Sequence, residues 1–242
     1  MITGAASGIG RECAIRLATR GIPVVLADVD EAGMARTAQL VEARGGSSLS
    51  VATDVTHDED CTALVEAALR RFGGLAGGVL SAGTARHAAF LDLERTDWES
   101  MLAVHLTGAF LCVQAMARAM VASGSRGSLV YVASSVAAGL GPPRQAHYVA
   151  AKAGALGLVR AAARELGPLG IRVNAVSPGF TRTPMNDGLF TEEELRARAQ
   201  NAPLGRVAEP ADVARSIEFL LGPESDFITG QTLHVNGGSY MP

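Results

Sequence analysis

The chain has 242 residues, 48% of them hydrophobic, so it can bury the core of one large α/β domain or of two small ones. Its 21 basic and 24 acidic side chains leave a net charge of −3, whereas nucleic-acid binding needs a clustered basic excess. We find no signal-peptide pattern and no run of about 20 apolar residues. Three separated cysteines, Cys13, Cys61 and Cys112, fit no zinc spacing. We therefore expect a cytoplasmic protein with buried reduced thiols, no metal, and no nucleic-acid or membrane partner.

Strand-like and helix-like segments alternate along the chain. Short apolar runs predict strands at 22–28, 48–54, 77–83, 127–135, 170–179 and 232–236. Helical patterns cover 30–44, 58–72, 96–122 and 147–166, and another helix is expected to start near Gly8. This alternation is typical of βαβ units with a parallel sheet and right-handed crossovers. Because no repeat or low-complexity linker interrupts it, one domain over residues 1–242 is expected.

The connection between Gly179 and Gly205 is the richest loop of the chain. It holds "FTRTPMNDGLF" and then an acidic, helical stretch, "TEEELRARAQNA". Long insertions in compact domains often act as lids over binding sites. We expect a lid over the site at about residues 184–205.

A glycine-rich turn opens the chain, as Gly4-Ala-Ala-Ser7-Gly8-Ile9-Gly10. Glycine permits a tight turn and a close approach to a pyrophosphate, and a helix starting near Gly8 would offer N–H groups to it. The spacing lacks the Gly-Lys-Ser/Thr of a nucleoside-triphosphate loop. On its own, the turn also fits an ordinary strand–helix connection.

Asp28 favours the dinucleotide interpretation of this turn. It closes the second predicted strand at about the distance from the last glycine expected for an acid that binds the adenosine ribose. A carboxylate there accepts hydrogen bonds from ribose hydroxyls and repels a 2′-phosphate, and "LADVDEAG" offers no basic neighbour. We therefore expect NAD rather than NADP. The alternative is a solvated aspartate at the end of a strand.

Only Met1, Ile2 and Thr3 precede the first glycine, although a central strand usually has about five or six residues. We expect a stunted first strand that has Ile2 at its carboxyl end and a gap behind it. Our hypothesis is that the reading frame starts upstream or that the chain was trimmed.

A second group of polar residues lies in "YVASSVAAGLGPPRQAHYVAAKAG". Tyr148 and Lys152 are four residues apart and share one helix face, and Ser135 ends the preceding strand. With the turn, Asp54-Val55, Ala82-Gly83, Pro178-Gly179-x-x-x-Thr183 and "ITGQTLHVNGG", these motifs make the whole chain resemble the short-chain dehydrogenase/reductase family. The resemblance implies a Rossmann-type, doubly wound parallel β-sheet of about seven strands, with helices on both faces.

The chemistry of this group is oxidation of an alcohol or reduction of a ketone. Hydride loss from an alcohol carbon requires a base for the hydroxyl proton, and Tyr148 can be that base. Its ordinary pKa of about 10 must fall by about 3 units, which takes about 4 kcal/mol. An ammonium such as that of Lys152, at about 4 Å and an effective dielectric of about 20, supplies this much. Ser135 can hold the substrate oxygen.

The resemblance also implies the cofactor contacts. Asp54 and Val55 are expected at the adenine, and Lys152 at the nicotinamide ribose. The remaining expected cofactor-binding residues are Ser81, Ala82 and Gly83 beneath the adenosine ribose, and Pro178, Gly179, Thr181 and Thr183 at the nicotinamide end, with Thr183 on its carboxamide.

Two positions depart from the family pattern. Leu80-Ser81 replaces a pair of asparagines, and His105 stands where the family has a catalytic asparagine that helps to hold a water against the lysine. His105 is either catalytic or a structural histidine. If it is catalytic, its ordinary pKa of about 6.5 predicts an extra acid-side inflection in the rate–pH profile.

We thus expect an NAD-dependent oxidoreductase that interconverts a secondary alcohol and a ketone, assembled as a homotetramer or homodimer. The alternatives are a 3-oxoacyl-thioester reductase, a group that commonly uses NADPH, and a non-catalytic NAD-binding scaffold protein. Expected substrate-pocket positions are Arg86, His87, Ala137, Arg144 and Gln145, together with the lid. Arg144 is interpreted as a solvated loop residue in preference to a contact for an anionic substrate.

Overall fold

Seven strands form one parallel sheet in the computed structural model, which describes residues 1–137, 141–186, 188 and 190–241. The strands are β1 (Ile2–Thr3), β2 (Val24–Asp28), β3 (Ser48–Ala52), β4 (Gly77–Leu80), β5 (Gly127–Val132), β6 (Ile171–Pro178) and β7 (Thr232–Val235). Their order across the sheet is β3-β2-β1-β4-β5-β6-β7, and every neighbouring pair is parallel. The expected doubly wound sheet is confirmed, and its order reverses between β1 and β4.

Helices cover both faces of this sheet. They are α1 (Gly8–Thr19), α2 (Glu31–Glu42), α3 (Asp58–Phe72), α4 (Arg95–Leu102), α5 (Gly108–Ala122), α6 (Ala146–Leu166), α7 (Glu192–Gln200) and α8 (Pro210–Leu221). Side chains of β2 alternate between the faces, because successive residues of a strand point in opposite directions. Val24 and Leu26 join the cluster formed with α1, α2 and α8, whereas Val25 and Ala27 pack with Leu64 of α3. Helices α3, α5 and α6 share the other large cluster.

The helix predicted at 96–122 is interrupted by a π-helical turn at Ala103–Thr107. Such turns are rare and occur mostly at functional sites, and this one contains His105. The continuous helical run Arg95–Ala122 has the length and mean hydropathy (1.5) of a membrane span. Buried side chains such as Met116 and Met120 pack it into the core of the sheet, which explains its apolar composition.

Helix α8 was not among the predicted elements. Its start carries a recognisable signal, since Pro210 occupies the first turn and Glu209 and Asp212 form a reciprocal capping pair. Val213, Ile217 and Leu220 are buried and follow helical spacing.

Strand β1 has two residues and lies between β2 and β4. The Met1 amine donates a hydrogen bond to the Gly77 carbonyl (2.9 Å), and the Met1 carbonyl accepts one from the Val79 N–H (2.9 Å). The strand is short, as expected, but Ile2 begins it and Thr3 ends it, so the expected position of Ile2 at its carboxyl end is wrong. The gap behind the strand and the upstream start stay predictions.

All three cysteines are free and buried, as expected. The sulfur atoms of Cys61 and Cys112 are 3.6 Å apart between α3 and α5. Within the described residues, no group of three or more His, Cys, Asp or Glu side chains is placed to hold a metal ion.

Candidate active site

A cavity of about 730 Å³ lies at the carboxyl ends of the strands, across the reversal between β1 and β4. Open α/β sheets bind their ligands at this kind of position. The predicted site residues that line the cavity are Gly4, Ser7, Gly8, Ile9, Asp28, Asp54, Val55, Ser81, Ala82, Gly83, His105, Ser135, Tyr148, Lys152, Pro178, Gly179, Thr181 and Thr183. Among the predicted catalytic and cofactor-binding residues, Gly10 is the one that does not line it.

The structure gives Gly10 a packing role, and its predicted contact with the cofactor stays a prediction. A Cβ atom at Gly10 would overlap the Gly4 carbonyl oxygen, so the residue lets α1 pack directly on the turn. Gly4 has a φ of +68°, and a Cβ there would lie 2.6 Å from the Ser81 carbonyl oxygen. Helix α1 begins after Ser7, at the wall of the cavity. The backbone N–H groups of its first turn are therefore available to bind an anion.

Asp28 closes β2 with its carboxylate held by backbone. Its two oxygens accept hydrogen bonds from the N–H groups of Ala6 and Asp30, each at 3.0 Å. Asp30 also lines the cavity, so two carboxylates stand side by side there. Two arginines lie nearby: Arg36 pairs with Asp30 at 3.8 Å, and Arg11 donates to the Ala6 carbonyl. Within the described residues neither forms an ion pair with Asp28, so Asp28 presents an unpaired carboxylate to the cavity.

Asp54 lies after β3 and is fixed by its own turn. Its Oδ1 accepts hydrogen bonds from the N–H (2.9 Å) and hydroxyl (2.7 Å) of Thr56. These two bonds hold the pKa of the Asp54 carboxyl below its usual value, with a smaller contribution from His57. Asp54 thus adds a third negative charge to the same end of the cavity.

Lys152 is buried beneath Tyr148 on α6. Its ammonium donates to the Val132 carbonyl at 2.6 Å and lies 4.6 Å from the centroid of the Tyr131 ring and 5.8 Å from that of Tyr148. Removal from water disfavours the charged form, so burial lowers the pKa of Lys152 from 10.5 to about 7. A lysine of this pKa exists at neutral pH in both protonation states.

The pKa of Tyr148 differs from the expectation. Burial raises it above 10, and a hydrogen bond with the Ser134 side chain opposes that rise only in part. The Lys152 ammonium lies 5.8 Å from the centroid of the Tyr148 ring. Burial therefore favours the protonated phenol over the tyrosinate in this structure.

Ser134 is a residue that the sequence interpretation missed. It lines the cavity beside Ser135, which begins a short 3₁₀ turn at Ser135–Ala137. The two adjacent serines in "VASS" are the sequence signal for a second hydroxyl at the site. The spacing to Tyr148 indicates only one of them, Ser135. The structure thus places the Ser134 hydroxyl at Tyr148, while Ser135 lines the same cavity.

His105 is almost fully buried at the back of the site. Its Nε2 lies 2.8 Å from the Thr84 carbonyl oxygen, its ring meets the Tyr148 ring edge-on at 5.1 Å, and its Nδ1 is buried without a partner. Its backbone carbonyl accepts a hydrogen bond from the Tyr131 hydroxyl at 3.0 Å. Burial, and then the Lys152 charge, lower the pKa of His105 to about 3. The inflection predicted near pH 6.5 therefore moves to about pH 3, and the imidazole is neutral in the working range.

The rim of the cavity differs in part from the predicted pocket. Arg86, His87 and Gln145 line it, with Gln145 hydrogen-bonded to His87 at 2.6 Å. Ala137 and Arg144 do not line it. Arg144 has a φ of +66°, a strained value for a side chain of this size, and its carbonyl accepts the Ala88 N–H.

The cavity fits a nicotinamide dinucleotide on three observations. Glycines bring backbone to its surface where a Cβ would collide, the start of α1 faces it, and carboxylates stand at the ribose position of the fold. Tyr148 and Lys152 lie on α6 beyond the point where the sheet order reverses.

Comparison with known proteins agrees with this geometry. A family model described as enoyl-(acyl carrier protein) reductase matches residues 4–240. The chain is 39% identical to (3R)-3-hydroxyacyl-CoA dehydrogenase of Canis lupus familiaris, over all of this chain and 95% of the relative. It is 37% identical to 3-oxoacyl-[acyl-carrier-protein] reductase of Staphylococcus aureus, over all of this chain and 97% of the relative. The crystal structure of a short-chain type dehydrogenase/reductase from Mycobacterium marinum matches all of this chain and 94% of its own, with a TM-score of 0.95 and 32% identity.

The chain belongs to the short-chain dehydrogenase/reductase family. It is an oxidoreductase that acts on CH–OH groups and interconverts a secondary alcohol and a ketone. Its cofactor is a nicotinamide dinucleotide. The non-catalytic scaffold alternative is set aside.

Proposed function

We propose that this oxidoreductase uses NAD(H) in preference to NADP(H). The observation that carries the proposal is Asp28, whose oxygens each keep a lone pair after accepting one backbone N–H. Ribose hydroxyls can donate to those lone pairs. A 2′-phosphate would instead be repelled by the carboxylates of Asp28 and Asp30, which both line the cavity. The guanidinium of Arg36 already forms an ion pair with Asp30.

The proposed roles of the residues at the other end follow from their positions. The cofactor supplies or accepts the hydride. The Tyr148 hydroxyl exchanges a proton with the substrate oxygen, and Ser135, with Ser134 beside it, donates a hydrogen bond that fixes this oxygen. When Lys152 is protonated, its positive charge lies beneath the Tyr148 ring and favours the tyrosinate form of Tyr148.

A second candidate is an enzyme of 3-oxoacyl or 3-hydroxyacyl thioesters. Two relatives that match the whole chain bear such names, one a dehydrogenase of CoA esters and the other a reductase of acyl-carrier-protein esters. We place this narrower activity after the general one because no cavity residue described above selects a thioester.

The assembly and the lid are part of the same proposal. We propose a single domain over residues 1–242 that works in the cytoplasm as a homotetramer, with residues 184–205 as a lid over the site. Exposed apolar side chains on the helical run 95–122 and on β7 support an assembly: Trp98, Phe110 and Leu233 are each more than a third exposed.

The test is a pair of titrations of the wild-type protein with NADH and NADPH, followed by cofactor fluorescence. We expect NADH to bind at least tenfold more tightly, which corresponds to about 1.4 kcal/mol. An Arg36→Met variant serves as the control, because it removes a nearby positive charge without touching Asp28. Equal affinities in the wild type would contradict the NAD proposal and leave the oxidoreductase assignment standing.

A further inference from the structure

Arg198, on α7 in the proposed lid, is a cavity-lining cation that the functions described so far do not use. Its guanidinium carbon lies 4.1 Å from the centroid of the Phe190 ring and 4.8 Å from that of Phe180. The two rings meet edge to face at 5.2 Å, and both line the cavity. The cation–π contacts with two rings hold the guanidinium in place, and because the rings are nearly perpendicular its plane can lie parallel to only one of them.

This charge is not neutralised by a protein carboxylate in the described part of the chain, where no acidic oxygen lies within 4 Å of it. Glu194 is one turn away on α7, and the Arg198 charge contributes to lowering its pKa, after the hydrogen bonds with Thr191. Its Oε2 lies beyond ion-pair distance of Arg198 and accepts hydrogen bonds from the N–H and hydroxyl of Thr191 at the start of the helix. By contrast, Arg86 at the cavity rim is paired with Asp97 at 2.8 Å.

The charges of the cavity are separated along its length. Asp28, Asp30 and Asp54 follow β2 and β3, on one half of the sheet. Arg198 belongs to the other half, with Phe180 two residues after the end of β6. That half also holds Tyr148, where the substrate must react. An anion is thus repelled from the first end and attracted to the second.

We propose that Arg198 recognises a carboxylate or phosphate of the substrate, so that the ketone or alcohol converted here is an anion. The inference rests on the proposed function, because it assigns a substrate class to the same site. A planar guanidinium binds either anion through two parallel hydrogen bonds, and partial burial against two rings strengthens them.

The test measures binding in a Tyr148→Phe background, so that turnover is too slow to consume the ligands during a titration. The NADH complex is titrated with two matched pairs: acetoacetate with methyl acetoacetate, and acetoacetyl-4′-phosphopantetheine with acetoacetyl-pantetheine. The first pair differs by a carboxylate near the ketone and the second by one distant phosphate. We expect the anionic member of at least one pair to bind at least tenfold more tightly, and Arg198→Met to abolish the difference.

Three variants serve as controls. Arg196→Met removes the same charge from an exposed position of α7 and should preserve the preference. Arg198→Lys should restore part of it, because the charge remains and the planar stack is lost. Arg198→Gln replaces Arg198→Met if the latter fails to fold.

Four results would overturn the proposal: no binding by any of the four compounds, no preference in either pair, a preference that survives loss of Arg198, or a tenfold loss of NADH affinity in Arg198→Met. The last would place the cation on the cofactor. Anion-dependent binding together with equal affinities of the wild type for NADH and NADPH would instead contradict the proposed function and leave the anion site standing.

Discussion

The buried ammonium of Lys152 predicts that this residue destabilises the folded protein near neutral pH. Its pKa is about 7 in the folded state and 10.5 when exposed. The unfolded chain therefore binds more protons between these values, and the stability of the wild type rises with pH in that window. Below about pH 7 both states are protonated and the full cost applies, on the order of 5 kcal/mol at about 1.4 kcal/mol per pH unit of difference.

Lys152→Met removes this cost together with the hydrogen bond to Val132 and the contact with the Tyr131 ring. The loss of the hydrogen bond and of the ring contact does not depend on pH, whereas the free energy regained by removing the buried charge does. We expect the variant's gain in unfolding free energy, relative to the wild type, to shrink by about 2 to 3 kcal/mol between about pH 7.5 and about pH 9.5. Urea unfolding of both proteins at the two pH values measures it. A difference that does not change with pH would refute the reasoning.

The pKa itself can be read from one resonance, because Lys152 is the only lysine of the chain. Protein labelled with ¹³C-lysine should give a single side-chain Cε signal that titrates with a midpoint near 7. A midpoint near the ordinary value of about 10.4 would refute the burial argument directly.

Three further variants test other parts of the site. Asp28→Ser should reduce the preference for NADH over NADPH at least fivefold in fluorescence titrations, because the repulsion of a 2′-phosphate falls; an unchanged ratio would contradict the role of Asp28. His105→Asn should leave the rate–pH profile between about pH 5 and 9 unchanged, because burial keeps His105 neutral there; an inflection near 6.5 that the variant loses would restore the original prediction. Gly10→Ala should lower the melting temperature and weaken NADH binding at least tenfold, because its Cβ meets the Gly4 carbonyl; Gly157→Ala on α6, where no atom lies within 4 Å, is the matched control and should be neutral or stabilising.

The sheet could be predicted because its strands are short apolar runs bounded by turn residues. Val24 to Ala27 are all buried, which is what a central parallel strand requires on both faces. Asp28 follows directly, and a polar residue at the carboxyl end of such a strand reaches the ligand edge of the sheet. The order of strands and helices along the chain is therefore enough to predict that the glycine turn, Asp28 and Tyr148 lie around one cavity.

Properties that depend on packing could not be predicted in this way. The spacing of Ser135 and Tyr148 does not say that the neighbouring Ser134 hydroxyl meets the tyrosine. The pKa values of His105 and Lys152 follow from how much water the folded chain excludes, and no local pattern reports it.

Arg198 illustrates the same limit. The acidic stretch that begins its helix predicts the helix, but the contacts join Arg198 to Phe190 earlier in the lid and to Phe180 before the lid. Arg144 stood closer in sequence to the catalytic helix and was considered for an anionic substrate, yet it lies outside the cavity.

The measurement that tests the central claim most directly is turnover and NADH binding by Tyr148→Phe. The substitution removes one hydroxyl and keeps the ring that packs against His105. We expect kcat to fall by about 10² to 10⁴, the range for loss of a general acid–base group, with NADH affinity within about twofold of the wild type. Activity within tenfold of the wild type, at unchanged NADH affinity, would contradict proton transfer by Tyr148.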